Sequence, residues 1–524
     1  MTVAAKADAA NEQSLLSNKD QEPTITSLKR TVTDEIVIAL CGPLGSPVHS
    51  VAEAVKDAIT ERHGYACTII KLSDFIKENY SKTGLEGAIP DGPRHERIER
   101  LIDAGDRLRA NYGPSVLADL AISAIRVDRE RHRKSQGTEI FESRRVCHII
   151  DSIKNQAELD LLREVYREVL YVIGVFSPVS VRERNLSAEN FPKVKLVELM
   201  ERDAKGADSN GQTVGDTFPQ SDFFLRMGTN AQTGLKTRVE RCLNLILSTD
   251  IVTPTREESA MYAAASAASG SACLSRQVGA AVTDADGSVL AVGWNDVPRP
   301  FGGLYQTDRE SDPDGSKDLR CYNKDGGKCF NDEEKSLLAQ SIAESLGSDL
   351  IPADKFDKII ERIASDRKLQ GLIEFSRAIH AEMYAILSAL KVAGSKVQGG
   401  SIYVTTYPCH GCARHIIASG ISEVYYIEPY RKSLAVKLHD DAITESEDKP
   451  GLVKILPYEG VAPSRYMSIF QMKPNSRKVN GKRVSIALRT ASPKMEKSLQ
   501  SLPELEAMVV KKLAERGLVP DVQS

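Results

Sequence analysis

Ser376-Arg377-Ala378-Ile379-His380-Ala381-Glu382-Met383 and, about thirty residues later, Thr405-Thr406-Tyr407-Pro408-Cys409-His410-Gly411-Cys412-Ala413 decide how this chain reads. Together they spell H-x-E followed by P-C-x-x-C. A hydrolytic zinc site takes three protein ligands and keeps its fourth position for water. One imidazole, His380, and two thiolates, Cys409 and Cys412, meet that demand. The cysteines stand where an apolar run, Ser401 to Thr406, gives way to a helical pattern, and a helix start favours thiolate. Two intervening residues span one turn, so both sulfurs can face one point. Glu382, two residues after the histidine, can reach a metal-bound water without being a ligand and act as general acid and base. A lone His-x-Glu arises by chance, and a lone C-x-x-C fits a redox pair or half a structural zinc site. The ordered set, with helix, strand, helix and strand around it (about 378–390, 401–406, 409–419 and 423–427), favours a catalytic centre.

Working outward, a helix of small residues (about Glu257 to Ala268) leads to Val278–Val282. The turn Asp284-Ala285-Asp286-Gly287 and the run Ser288–Trp294 follow, which is a hairpin signal. Residues from about 300 to 375 are polar at first and then helical, and read as an insertion. Further upstream, Glu35–Cys41, Ala66–Leu72, Val146–Ile150 and Val169–Phe176 are short apolar runs. They alternate with helical patterns at about 48–62, 95–134 and 155–168, as in a parallel α/β sheet.

His380-Ala381-Glu382 and Pro408-Cys409-His410-Gly411-Cys412 resemble the cytidine/deoxycytidylate deaminase superfamily, whose H-x-E and P-C-x-x-C signature serves zinc deaminases acting on cytosine or adenine. Ser275-Arg276-Gln277-Val278-Gly279-Ala280 is similar to that family's first strand, and Gly293-Trp294-Asn295 to the end of its second. The resemblance spans about 255–430, interrupted by the insertion. It implies an α/β/α sandwich with a mixed sheet and zinc at two helix N-termini, and it gives Asn295 the substrate sugar. Arg276 and Ala381, beside the motifs, are further substrate-binding candidates. Arg299, Arg414, Arg431 and Lys432 are cations near the motifs in sequence that a phosphate could use. Cys273, Cys321 and Cys329 are candidates for a second, structural zinc, with free thiols as the alternative.

Gly42-Pro43-Leu44-Gly45-Ser46-Pro47-Val48-His49-Ser50 stands where a phosphate loop belongs, after a strand and before a helix. A working loop reads G-x-x-x-x-G-K-[ST]. Here the Gly-Lys pair is absent and Pro47 removes a backbone donor. Gly42, Gly45 and Ser46 keep a loop-like pattern. Asp151-Ser152-Ile153-Lys154-Asn155 resembles the strand end of small nucleotide kinases, and Arg182 and Arg184 resemble lid arginines. The reading is a P-loop-kinase-like domain with a degenerate loop, structural or regulatory, sensing a nucleotide or phage-derived signal.

Such a domain fused ahead of a deaminase resembles the bacterial anti-phage dCTP deaminases. Glu428–Ala435 (EPYRKSLA), Leu438-His439-Asp440-Asp441 and Pro457–Pro463 (PYEGVAP) add to that likeness. It implies conversion of dCTP, and of dCMP, to the uracil nucleotide, with dCTP depletion as the defence, and a homo-oligomer. A housekeeping dCMP deaminase, a polynucleotide cytosine deaminase and a nucleotide-sensing scaffold are the rival readings.

The bulk numbers fit these expectations. With 524 residues, the length calls for more than one domain. The expected divisions are a disordered tail at 1–30, a kinase-like domain at 31–250, a deaminase domain at 255–475 and a C-terminal extension at 476–524. A net charge of −3 and 6% aromatic residues argue against a long polynucleotide groove. The nine cysteines are irregularly spaced in a long chain, which suits reduced thiols and metal ligands. No apolar leader core or membrane-length run occurs, so a cytoplasmic protein is expected.

Overall fold

A computed structural model describes residue 29 and residues 31–520, apart from 188–192, 205–209, 229–232, 311, 430–432 and 475. The expected disordered tail, all but Lys29, lies outside the described residues, as do Arg431 and Lys432. The chain divides into two compact units: residues 1–223, 229–252 and 472–524 form one, and 224–228 with 253–471 form the other. Residues expected as a C-terminal extension thus belong to the first unit.

The first unit is built on strands β1 (Ile36–Cys41), β2 (Ala66–Lys71), β3 (Val146–Ile153) and β4 (Leu170–Phe176). They lie in the order β4-β1-β3-β2, every pair parallel. Strand β1 is buried along its whole length, which its unbroken IVIALC run requires of a central parallel strand. Helix α1 (Val48–His63) follows β1. The helical stretch read as one from 95 to 134 is two helices, α2 (Arg94–Tyr112) and α3 (Val116–Gln136). Between them Gly113 takes φ 107° ahead of Pro114, a conformation and a residue that a helix cannot carry through. Helix α4 (Gln156–Tyr166) precedes β4, and α5 (Val179–Ser187) and α6 (Lys193–Ala204) come after it.

The C-terminal helix Leu502–Glu515 is tied to α3 by a buried ion pair. Arg129 Nε and Nη2 each lie 3.0 Å from a Glu506 oxygen, and Arg129 Nη1 lies 2.6 Å from Glu35. Buried charges are tolerated when hydrogen-bonded on this scale.

The second unit begins with α7 (Arg256–Ala268) and the hairpin β5 (Gly279–Thr283) and β6 (Val289–Trp294). The insertion contributes α8 (Phe330–Leu350). Then come α9 (Ala381–Ala393), β7 (Ser401–Thr406), α10 (His410–Ala418), β8 (Glu423–Glu428), β9 (Ile443–Thr444) and β10 (Val453–Pro457). The sheet runs β6-β5-β7-β8-β10-β9, with β5 antiparallel to both neighbours and the later pairs parallel. It is a mixed sheet, as expected.

Ala280, Val282, Ile402, Val404 and Val424 of the sheet pack with Ala385, Ala389 and Ile416 of the helices. Each Val or Ile side chain buried this way contributes roughly 1.5–3 kcal/mol, and each alanine methyl less. Gly293 lets α9 come close: a Cβ there would lie 2.5 Å from the Ala385 amide nitrogen. That contact fixes the helix whose first turn carries Glu382.

Candidate metal centre and cavity

His380 and Cys409 are the N-cap residues of α9 and α10, so two helix starts meet at one point. Extended backbone at both caps (ψ 151° and 167°) directs the side chains back across the first turn. His380 is held in place from behind, since the Ile379 amide donates to Asp296 O at 3.0 Å. Its Nδ1 lies 3.4 Å from Cys409 Sγ and 3.3 Å from Cys412 Sγ. The Cys412 amide donates to Cys409 Sγ at 3.4 Å. A tetrahedral zinc ion at roughly 2.0–2.3 Å from nitrogen and sulfur spaces its ligands by about 3.5 Å, so the trio fits one. Among the described residues this is the one group of three His, Cys, Asp or Glu ligand atoms gathered within 4.8 Å.

The three groups hold their protons unequally. Cys409 is drawn down to about 4, chiefly by the hydrogen bond from Cys412 and then by His380, against the effect of burial. His380 is raised to about 9 by its bond to Cys409, with Glu382 adding to it. Cys412 is pushed well above the ordinary thiol range by its bond to Cys409 and by burial. Glu382 is 4% exposed, and burial raises its carboxyl too.

The segment carrying the cysteines is braced by residues the sequence did not single out. Tyr407 donates to Glu445 at 2.9 Å, and Ser433 donates to Pro408 O at 2.7 Å. Both partners are distant in sequence and carry no local pattern.

A cavity of about 450 Å³ opens on this centre, lined by His380, Ala381, Glu382, Cys409, Asn295 and Arg276. Residues 254–428 match the family described as "Cytidine and deoxycytidylate deaminase zinc-binding region". The deoxycytidylate deaminase of Enterobacteria phage T4 is 31% identical over 165 residues, 31% of this chain and 72% of that protein. The chain belongs to the cytidine and deoxycytidylate deaminase family.

ComE operon protein 2 of Bacillus subtilis is 52% identical over 56 residues, but the chain spans only 29% of it. The dCMP deaminase of cyanophage S-TIM5, solved with dCMP and dUMP, aligns with 40% of this chain and 99% of its own at 20% identity and a TM-score of 0.23. A UPF0200 protein of Saccharolobus solfataricus is 22% identical over 213 residues, 40% of this chain and 94% of that protein.

Within the deaminase unit the other expected residues fall unevenly. Asn295 is tied to its own wall: Nδ2 donates to Arg276 O at 2.9 Å and Oδ1 accepts from the Val278 amide at 2.7 Å. Arg276 is paired with Glu428 at 2.6 Å, and Glu428 also accepts from Thr406. Arg299 bonds the carbonyl of Gly302, and Arg414 is exposed; neither lines the cavity. Cys273, Cys321 and Cys329 all line it, but their sulfurs do not gather within 4.8 Å as a set of three. The insertion supplies a wall of its own through Phe330, Asn331, Lys335 and Ile373, none of which the sequence had marked.

In the first unit the loop-like turn is filled from inside. Asp203 of α6 is fully buried, and its Oδ2 accepts from the Leu44 amide at 2.7 Å. Lys154 bonds Asp203 Oδ1 at 2.8 Å and Gly42 O at 2.7 Å. Asn185 donates to Gly45 O, Arg182 donates to Leu44 O, and Ser46 Oγ accepts from the Ser177 amide. Gly45 has φ +88°, and a Cβ there would meet Arg182 at 2.9 Å. Among the described residues no helix is long and apolar enough to cross a membrane.

Proposed function

We propose that the second unit hydrolyses the exocyclic amine of deoxycytidine nucleotides, dCTP and dCMP, to the deoxyuridine nucleotides. The observation that carries this reading is the buried Glu382 beside the His380–Cys409–Cys412 trio, at the floor of a cavity large enough for a base and sugar. His380, Cys409 and Cys412 would hold the zinc, which would supply Lewis acidity toward the attacking water. Glu382 takes a proton from that water and passes it to ring N3. After attack at C4, it moves the proton of the new C4 hydroxyl to the exocyclic amine, whose C4–N bond breaks to release ammonia as the C4 carbonyl forms. Burial, by raising its carboxyl, suits it to both directions of transfer. Asn295 and Ala381 bound the sugar and base, and Arg276 lies at the cavity wall.

A second, structural zinc at Cys273, Cys321 and Cys329 would require their sulfurs to draw together, and a metal-to-chain ratio near one would exclude it. Depletion of dCTP against phage, regulation by the kinase-like unit and assembly of several copies are further parts of the proposal. They rest on the pairing of the two units in one chain. The deciding experiment is ammonia release from dCTP, dCMP, CTP, dATP and single-stranded DNA by the purified chain. Release from dCTP and dCMP is expected, and activity on DNA alone would overturn the substrate.

A further inference from the structure

The segment between β6 and α9 reads from sequence as an insertion, and it walls the cavity that opens on Glu382. Phe330, Asn331 and Lys335 all lie in the first two turns of α8. Asn331 and Lys335 are four apart, so they share one helix face. We propose that Lys335 binds the phosphate of the substrate, and so makes the inserted helix the element that tells a nucleotide from a nucleoside. This rests on the nucleotide-deaminase reading above.

Three Lys or Arg side chains line the cavity: Arg276, Lys335 and Arg377. Arg276 is already committed to Glu428 at 2.6 Å. Arg377 lies over the Phe330 ring at 5.0 Å and donates to Leu319 O at 3.3 Å. Lys335 is only 6% exposed, yet its ammonium donates to one carbonyl, Gln370 O, at 3.1 Å. Its ion-pair partner, Asp332, stands 3.5 Å away at the same cavity wall, with its own side chain mostly in solvent. A buried ammonium carries three donors and is costly to desolvate without an anion. One carbonyl and one largely exposed carboxylate leave the ammonium with donor capacity to spare, and an anion entering the cavity would take it up.

Two neighbours support the assignment. Asn331 Oδ1 is buried with no hydrogen-bond partner, while Nδ2 donates to Leu372 O at 3.1 Å. A hydroxyl-bearing ligand would supply the missing donor. The start of α8 also faces the cavity, and its N-cap, Cys329, makes no side-chain cap bond. Its dipole adds to a field that favours negative charge.

The test uses the full-length zinc-loaded chain and the variants Lys335→Gln and Lys335→Arg. Glutamine keeps a donor for Gln370 O and removes the charge. In Lys335→Gln, kcat/KM for dCTP and dCMP should fall about 30-fold or more, mainly through KM, while deoxycytidine changes less than about twofold. Lys335→Arg should recover most of the loss. An equal fall on all three substrates would show a merely structural lysine, and an unchanged nucleotide-to-nucleoside ratio would assign the phosphate elsewhere; either overturns the proposal. Calorimetric binding of dUTP and deoxyuridine makes the same comparison without turnover. If the wild-type chain turns over adenine but no cytosine substrate, the functional reading fails instead. Lys335 is then judged by the same ratio on dAMP and deoxyadenosine.

Discussion

Two strand-to-helix junctions in this chain start from the same architecture and end in opposite states. At the end of β1, the turn Gly42–Pro47 leads into α1; at the end of β7, Tyr407 and Pro408 lead into α10. Each places backbone amides at a helix start beside a parallel strand, an arrangement suited to holding an anion. In the first unit the chain provides the anion itself, because Asp203 accepts the Leu44 amide and Lys154 seals the pair. In the second unit the anion is the Cys409 thiolate, which accepts the Cys412 amide and faces an open cavity. The difference lies in which side chain the rest of the fold delivers to the junction. A fold-level likeness to a nucleotide-binding domain is therefore no evidence of a working phosphate site.

The largest expected effect separates chemistry from metal binding at the open junction. Glu382→Gln should lower kcat by about 10²–10⁴-fold, the range for loss of a general acid–base. Its zinc content by elemental analysis should stay that of wild type, since Glu382 lies outside the ligand trio. Loss of the metal together with the activity would show that Glu382 is part of the metal set and would break the division of roles.

The closed junction gives the next effect. Asp203 is fully buried and bonded to both Lys154 and the turn, so Asp203→Ala leaves an unpaired ammonium and an unmet amide. Removing one partner of a buried pair costs about 3–5 kcal/mol. Because Lys154 keeps some exposure, about 2–3 kcal/mol is expected, read as a fall in the first unit's unfolding midpoint in denaturant. The variant should also gain binding of inorganic pyrophosphate that the wild-type chain lacks. Tight pyrophosphate binding by wild type would erase the contrast between the junctions.

A third effect follows from proton balance at the metal centre. His380, raised to about 9, and Cys412, raised well above the usual thiol range, both hold protons at neutral pH. Cys409, lowered to about 4, does not. Metal must displace the two protons, so affinity falls as pH falls through the neutral range, by up to about a hundredfold per pH unit. Cys409 joins the competition only near pH 4. Chelator competition between pH 6 and 8 measures the slope, and a flat profile would mean that the ligands are already deprotonated.

How far the sequence disclosed all this follows from the range of each interaction. Strands β1, β3, β4 and β7 were legible because their apolar runs need only local pattern. The trio His380, Cys409 and Cys412 was legible because its members lie in short motifs whose chemistry admits few readings. The break at Gly113-Pro114 was available in the sequence, but the helical periodicity on both sides concealed it. Arg299 and Arg414 were chosen for closeness along the chain, which does not fix direction. Arg414, two residues after Cys412 on a helix, points elsewhere because successive side chains rotate about the axis. Lys335, Asp203 and Glu506 act on partners brought together by the fold. The Arg129–Glu506 contact spans 377 positions, a distance at which no local pattern operates.

The smallest expected effect compares two capping boxes, one in each unit. Thr255 at the start of α7 accepts the Glu258 amide at 3.1 Å, and Glu258 accepts the Thr255 amide at 2.8 Å. Asn155 at the start of α4 makes the corresponding bonds with Ala157 and Glu158. It also donates to Gly211 O at 2.7 Å in a buried setting. Loss of a cap side chain costs about 1 kcal/mol. Thr255→Ala should therefore cost about 1 kcal/mol. Asn155→Ala should cost about 2 kcal/mol, because it also removes a buried hydrogen bond to the Gly211 carbonyl. Chemical denaturation followed separately for the two units resolves the difference. Equal costs would mean that water replaces the lost donor at Gly211, and that the first unit is less tightly closed around its turn than the Asp203 contact implies.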